Sequence, residues 1–223
     1  MPYLLNVLYL ALLVAAFPWL AWQAIRKGKY REGFAAKFLG RVPSRSSDRR
    51  CVWFHAVSVG EVNLLAPLLA ALAQRRPEWD CVVSTTTMTG MALAKKKYPD
   101  RMVFYCPLDF SWAVRAAMRR IRPDLLALAE TELWPNLVRA ARETGARVAV
   151  VNGRLSDHSF RGYSRIRRPV AWLLGQLDLI AAQDETYAER FRRLGARPDA
   201  IAVTGSIKYD GAQTDRHNPA TER

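Results

Sequence analysis

The chain has 223 residues, half of them hydrophobic and 24% charged, a balance that builds a folded core and excludes an intrinsically disordered chain. Its 34 Lys and Arg against 20 Asp and Glu leave a formal net charge of +14. An excess of that size calls for an anionic partner, whether nucleic acid, a phospholipid surface or a phosphorylated substrate.

In chain order, the first feature is an apolar run from Leu4 to Ile25 in which Asn6 and Gln23 are the only strongly polar side chains. As a helix it would run roughly 33 Å, enough to cross a hydrocarbon core. Pro18 would kink it, and Trp19 and Trp22 lie near its basic end, where interfacial aromatics belong. No positive segment precedes it and it ends without a small-residue cleavage site, so an uncleaved membrane-anchor helix over residues 1–25 is expected rather than a signal peptide.

Residues 26–50 carry nine basic side chains (Arg26, Lys27, Lys29, Arg31, Lys37, Arg41, Arg45, Arg49, Arg50) against Glu32 and Asp48. Directly after an apolar helix, such a stretch suits an anionic membrane surface better than a nucleic-acid groove, and it places the remainder of the chain in the cytoplasm. Nucleic acid is not an expected partner.

From Cys51 onward, apolar runs of strand length alternate with stretches of helical period. Strands are predicted at 51–55, 81–85, 102–106, 125–129, 147–151, 179–182 and 201–204, with helices over 62–75, 112–121, 134–144 and 185–194. Runs without polar alternation mark strands buried on both faces. Gly145 and Gly195 fit helix stops. The expected fold over residues 51–210 is therefore α/β, a Rossmann-like parallel sheet with helices on both faces, and ligands belong at the carboxyl ends of its strands. Cys51, Cys81 and Cys106 sit in such runs without CxxC spacing, as reduced, buried side chains would. The polar stretch 211–223 reads as a linker or terminus.

Four strand-end loops carry polar chemistry. His55-Ala-Val-Ser58-Val-Gly60-Glu61 places Gly60 for a tight turn and Glu61 at a helix start, where the dipole keeps a carboxylate ionised. That state suits a general base, and equally a first-turn Glu that only stabilises the helix. Glu130-Thr-Glu132-Leu-Trp-Pro135-Asn136 sets two carboxylates on one side of an extended chain, as ligand contacts or as a capping cluster. Asn152-Gly-Arg154-Leu-Ser156 can hold a carboxylate or phosphate, and Lys208 in Thr204-Gly-Ser-Ile-Lys-Tyr-Asp210 can neutralise developing charge; both also read as solvated turns. Thr85-Thr-Thr87-Met-Thr-Gly90, before a helix, offers amides to an anion. A dinucleotide fingerprint, a P-loop, a nucleophile elbow and a histidine metal spacing are all missing from the sequence.

Read together and in this order, with Ala181-Ala-Gln-Asp-Glu185 between the last two, these motifs resemble those of the 3-deoxy-D-manno-octulosonic acid (Kdo) transferases, from the apolar N-terminus to about Asp210. The resemblance implies an inverting, metal-independent glycosyltransferase of the GT-B architecture at the cytoplasmic face of the inner membrane. It would take CMP-Kdo as donor, need no cofactor, and use a lipid A precursor (lipid IVA) as acceptor. Glu61 then matches the general base, and Glu130 and Lys208 match transition-state contacts. Ser58, Gly60, Thr87, Glu132, Asn152 and Arg154 become the candidate substrate contacts. The family's second, donor-binding domain would begin where this chain ends, so the chain alone is expected to be inactive. Two other readings stay open: another membrane-associated GT-B glycosyltransferase, or a non-catalytic module that binds anionic lipid.

Overall fold

Seven parallel strands lie side by side in the computed structural model, which describes residues 2–27 and 32–209; the expected linker at 211–223, and residues 28–31 of the basic stretch, lie outside the described residues. The strands are β1 (Cys51–His55), β2 (Asp80–Thr85), β3 (Met102–Tyr105), β4 (Leu125–Ala129), β5 (Arg147–Gly153), β6 (Leu179–Ala182) and β7 (Ile201–Val203). Their order is β3-β2-β1-β4-β5-β6-β7, and every neighbouring pair is parallel. Chain order reverses between β1 and β4, the switch point at which doubly wound sheets bind ligands.

All five residues of β1 are buried because both faces are covered. Trp53 packs with Leu126, Leu128, Val148 and Val150 on one face, beneath α5 (Ser111–Ile121), α6 (Pro135–Glu143), α8 (Arg167–Leu174) and α9 (Glu185–Leu194). Val52 and Phe54 pack on the other with Val83 and Ala127, beneath α3 (Val59–Arg75) and α4 (Met88–Lys97). This is the expected Rossmann-like sheet, and the three cysteines are buried and unpaired.

Residues 32–50 fold onto this domain. The short helix α2 (Phe34–Leu39) is bounded by Gly33 and Gly40, both left-handed. A Cβ on Gly40 would stand 2.0 Å from the Ala113 carbonyl oxygen, so only glycine lets α2 approach α5 this closely. Farther on, Val42 is buried, and Arg45 donates to the Ile121 carbonyl at 2.9 Å and to Asp80 at 2.9 Å. Part of the basic stretch thus fastens the domain together. The sequence pattern does not reveal α2, nor the polar α7 (Asp157–Arg165), which Ser156 caps before the break at Ile166 and α8.

The N-terminal segment departs from expectation. Residues Pro2–Lys27 form one helix, α1, with Pro18 inside it. Among the described residues, however, no helix is long and apolar enough to cross a membrane, so the spanning anchor is not supported. The physical reason lies in which face the domain takes. Asn6 and Gln23 are buried and Tyr9, Leu13 and Ala16 half-buried, a stripe of alternating three- and four-residue steps along nearly the whole helix. The Asn6 amide exchanges two hydrogen bonds with Ser111, donating to its Oγ at 2.7 Å and accepting from its backbone amide at 3.0 Å. Tyr9 donates to Asp109 at 3.1 Å and meets the Phe110 ring edge-on. The opposite face exposes Leu4, Val7, Leu12, Val14, Phe17 and Ile25. The helix is inside out: its polar residues face protein and its apolar ones face away.

Candidate functional site at the sheet switch point

The loop leaving β1 enters α3 through a reciprocal cap. Ser58, the N-cap residue, accepts from the Glu61 amide at 3.2 Å and donates to Glu61 Oε1 at 2.7 Å. Glu61 Oε2 accepts from the Val57 amide at 2.8 Å, leaving this carboxylate buried at the head of a 17-residue helix. This is a variant of the capping box, with the amide of the residue before the N-cap in place of the N-cap's own, so the helix-stabilising reading of Glu61 is realised in the structure. It does not exclude proton transfer: each carboxylate oxygen keeps a free lone pair for an incoming hydroxyl.

Val57 is the point at which neighbouring loops meet. Its carbonyl accepts from Thr85 Oγ1 at 3.1 Å and from Thr87 Oγ1 at 3.2 Å. Thr87 also caps α4, accepting from the Gly90 amide at 3.0 Å. A Cβ on Gly90 would lie 2.5 Å from Thr85 Oγ1, so glycine allows this approach. Ser58 and Thr87 therefore hold loops in this structure. Gly60 does not serve a tight turn as its motif suggests. It lies in the first turn of α3, where an added Cβ would meet nothing nearer than Ser58 Oγ at 3.7 Å, leaving open space beside Glu61.

The second half of the site comes from β4. Glu130 ends that strand in the left-handed region, φ 54°, with its amide bonded to the Val151 carbonyl at 2.9 Å. Arg154 approaches its carboxylate at 3.7 Å, and Thr131 donates to the Arg154 carbonyl. Burial raises the Glu130 pKa, the nearby Arg154 partly reverses that, and Glu61 adds to the rise. Glu132 is raised by burial, then by Glu61, while a hydrogen bond from Trp134 Nε1 at 3.1 Å pulls it down and Glu130 adds a smaller increase. Glu61, Glu130 and Glu132 thus share one electrostatic neighbourhood across the switch point, in which Glu61 makes both Glu130 and Glu132 easier to protonate. Among the described residues, no set of three His, Cys, Asp or Glu side chains is arranged to hold a metal ion.

Asn152 and Lys208 complete the arrangement in different ways. Asn152 is buried and left-handed, φ 56°, and its Oδ1 accepts from the Ile207 amide at 3.1 Å. It thereby holds the 3-10 turn Ile207–Tyr209 that carries Lys208, and this turn packs against α3. Lys208 is exposed on it. The structure so brings Glu61, Glu130, Glu132 and Arg154 together, sets Lys208 on an exposed turn packed against α3, and uses Ser58, Thr87 and Asn152 to hold the loops.

Asp109 was not among the candidates. It lies four residues beyond β3, in Cys106-Pro-Leu-Asp109, a strand-end loop like those that supplied the others, so the signal was present. It accepts from the Leu137 amide at 2.8 Å and the Asn136 amide at 3.0 Å, capping α6, whose own N-cap position is Trp134.

A doubly wound parallel sheet with charged loops at its switch point defines a Rossmann-like domain, and solved structures share that fold. The UDP-N-acetylglucosamine 2-epimerase of Neisseria meningitidis bound to UDP-GlcNAc superposes with a TM-score of 0.54 at 13% identity, over 72% of this chain and 48% of that one. The Rickettsia bellii epimerase gives 0.52 at 12% identity, over 73% and 46%. At such identities the likeness is one of fold. Sequence gives the family: residues 30–211 match the family described as 3-deoxy-D-manno-octulosonic-acid transferase (kdotransferase), and the chain belongs to it. It is 35% identical over 212 residues to the 3-deoxy-D-manno-octulosonic acid transferase of Chlamydia trachomatis serovar D, covering 92% of this chain and 49% of that protein. The Haemophilus influenzae transferase of that name is 31% identical, over 84% of this chain and 44% of its own length. The chain spans about half the length of the curated relatives it matches.

Proposed function

We propose that this domain is the acceptor-side half of an inverting, metal-independent GT-B glycosyltransferase that moves Kdo from CMP-Kdo to the lipid A precursor lipid IVA. The observation that carries the reading is the meeting of Glu61 with Glu130, Glu132 and the Lys208 turn at the switch point of a chain that belongs to the Kdo transferase family. In this reading Glu61 accepts the proton of the attacking acceptor hydroxyl as that oxygen bonds to the anomeric carbon and the bond to CMP breaks. Ser58 and the Val57 amide hold the Glu61 carboxylate oriented for that step. Lys208 and Arg154 offer positive charge to the phosphates and carboxylates of such substrates, and Glu130 sits between Arg154 and Glu61 to take part in the transition state. The second half that the relatives possess would supply the donor site.

The proposed location is the cytoplasmic face of the inner membrane, with α1 lying in the plane of an anionic bilayer. Its outward apolar face and the basic residues at its C-terminal end match the pattern of an interfacial helix.

The test joins this chain to the second half of the Chlamydia trachomatis relative and measures Kdo transfer from CMP-Kdo to lipid IVA. Transfer is expected, with a loss of about 10²- to 10⁴-fold in kcat on Glu61→Gln, the range for removal of a general base. A folded, CMP-binding protein that transfers no Kdo would reject the reaction; full activity in Glu61→Gln would reject the base alone.

A further inference from the structure

Asp109 joins two parts of the molecule that the proposed reaction does not by itself connect. From α1, Tyr9 donates to its carboxylate at 3.1 Å. From α6, the amides of Asn136 and Leu137 donate to it, and the Asn136 side-chain amide donates to the Asp109 backbone carbonyl at 2.6 Å. Two residues on, Ser111 holds Asn6 of α1. Immediately before α6 runs the Glu130–Trp134 loop with both of its candidate carboxylates. A loop that ends in a helix start is positioned by whatever satisfies the first amides of that helix. Here Trp134 contributes no side-chain cap, and the acceptor comes from 27 residues away.

We propose that Asp109 is a positioning residue that sets the Glu130–Trp134 loop through the start of α6, and that α1 holds Asp109 in place through Tyr9. Docking of α1 is then coupled to acceptor recognition at Glu132 and Trp134. The path is short: Tyr9 hydroxyl, Asp109 carboxylate, the Asn136 and Leu137 amides, Pro135, Trp134. Asp109 is 6% exposed, so water does not replace the tyrosine hydroxyl freely when α1 moves. The titratable groups that face it among the described residues are Tyr9 from α1 and Cys106 from the end of β3, the thiol protonated because burial raises its pKa. The buried Asp109 carboxyl itself titrates near 6, raised by burial and drawn back by its amide partners and Tyr9.

The role in acceptor recognition rests on the proposed transfer reaction, and the experiment separates the two. Hydrogen exchange of this chain is measured over residues 130–138 and, as a reference, over β5. Tyr9→Phe is expected to speed exchange over 130–138 about tenfold, as for loss of one hydrogen bond to a charged group, with β5 unchanged. Asp109→Asn is expected to do more; if it does not fold, Asn6→Ala loosens the same end of α1 and is expected to match Tyr9→Phe. In the transfer-competent joined protein, Tyr9→Phe is expected to raise the acceptor KM about fivefold with kcat within about twofold of wild type, whereas mere loss of folded protein lowers kcat at constant KM. Unchanged exchange over 130–138, or a lowered kcat at constant KM, overturns the proposal. If wild-type protein transfers nothing, the reaction is rejected while the exchange data still decide the coupling.

Discussion

Burial gives His55 one hydrogen bond and leaves one ring nitrogen bare. Its Nδ1 lies 2.9 Å from Ser84 Oγ, which also accepts from Trp53 Nε1 at 2.7 Å, while Nε2 has no partner. Burial lowers its pKa to about 4 from the ordinary 6.5, the hydrogen bond with Ser84 opposing only in part. In the unfolded chain the imidazole protonates first as pH falls, so its contribution to stability is complete above about 6.5 and is lost on the way to 4. Asp109 acts with the opposite sign: its folded pKa of about 6 exceeds the ordinary 3.8, so falling pH favours the fold there. The wild-type pH profile therefore mixes two offsetting effects, and a variant isolates one. His55→Asn is expected to be less stable at pH 7, with its deficit shrinking by ~2–3 kcal/mol between pH 7 and 4.5 in chemical denaturation. A deficit independent of pH would mean that His55 is not held neutral.

Gly60 makes a second residue-scale prediction. An alanine in the first turn of α3 has room and gains up to about 1 kcal/mol of helix propensity, a rise of roughly 2–4 °C in Tm. The added methyl would fill the open space beside Glu61. We expect Gly60→Ala to melt higher yet raise the acceptor KM several-fold; a higher Tm with unchanged KM would show that the space is not used.

At the scale of elements, sequence reading succeeded where burial is two-sided. The predicted bounds of β1, β4 and β6 match the structure because an unbroken apolar run has one explanation in a parallel sheet. It failed at α1 because hydropathy counts residues without asking which way each faces. Two polar side chains in 22 residues look like tolerated exceptions in a spanning helix; both lie on the buried stripe, and Asn6 becomes an anchor to α5. The outward face then makes its own prediction. Val14→Glu combined with Phe17→Glu, at positions 73% and 65% exposed, should leave the fold intact and lower flotation with phosphatidylethanolamine–phosphatidylglycerol vesicles at least tenfold. Undiminished flotation would remove α1 as the lipid contact. The site motifs were legible in a similar, partial way. Glu61 and Glu130 share one electrostatic neighbourhood, as their positions at the ends of adjacent strands suggest, and the turn that carries Lys208 packs against α3. Ser58 and Thr87 are short polar side chains beside helix-start amides and take those local bonds, while Asn152 takes a backbone amide 55 residues away, which sequence spacing does not reveal.

Taken as a whole molecule, the domain puts its rigidity and its chemistry in different places. The sheet interior is apolar and closed by helices on both faces, while the candidate site side chains sit on loops at the carboxyl ends of the strands, held by bonds to Val57, Asn152 and Asp109. Side chains on those loops can therefore change without disturbing the strands, and the sheet itself is shared with 2-epimerases at 13% identity.

Glu130, just after β4, and Asn152, one residue before the end of the adjacent β5, share the same left-handed backbone conformation, and neither is glycine. Asparagine tolerates that conformation; glutamate is held there against a preference of about 1 kcal/mol or more. A stabilisation campaign guided only by melting temperature would thus be drawn to glycine at position 130, and would select, in a single step, a sturdier protein stripped of a carboxylate proposed to serve its reaction.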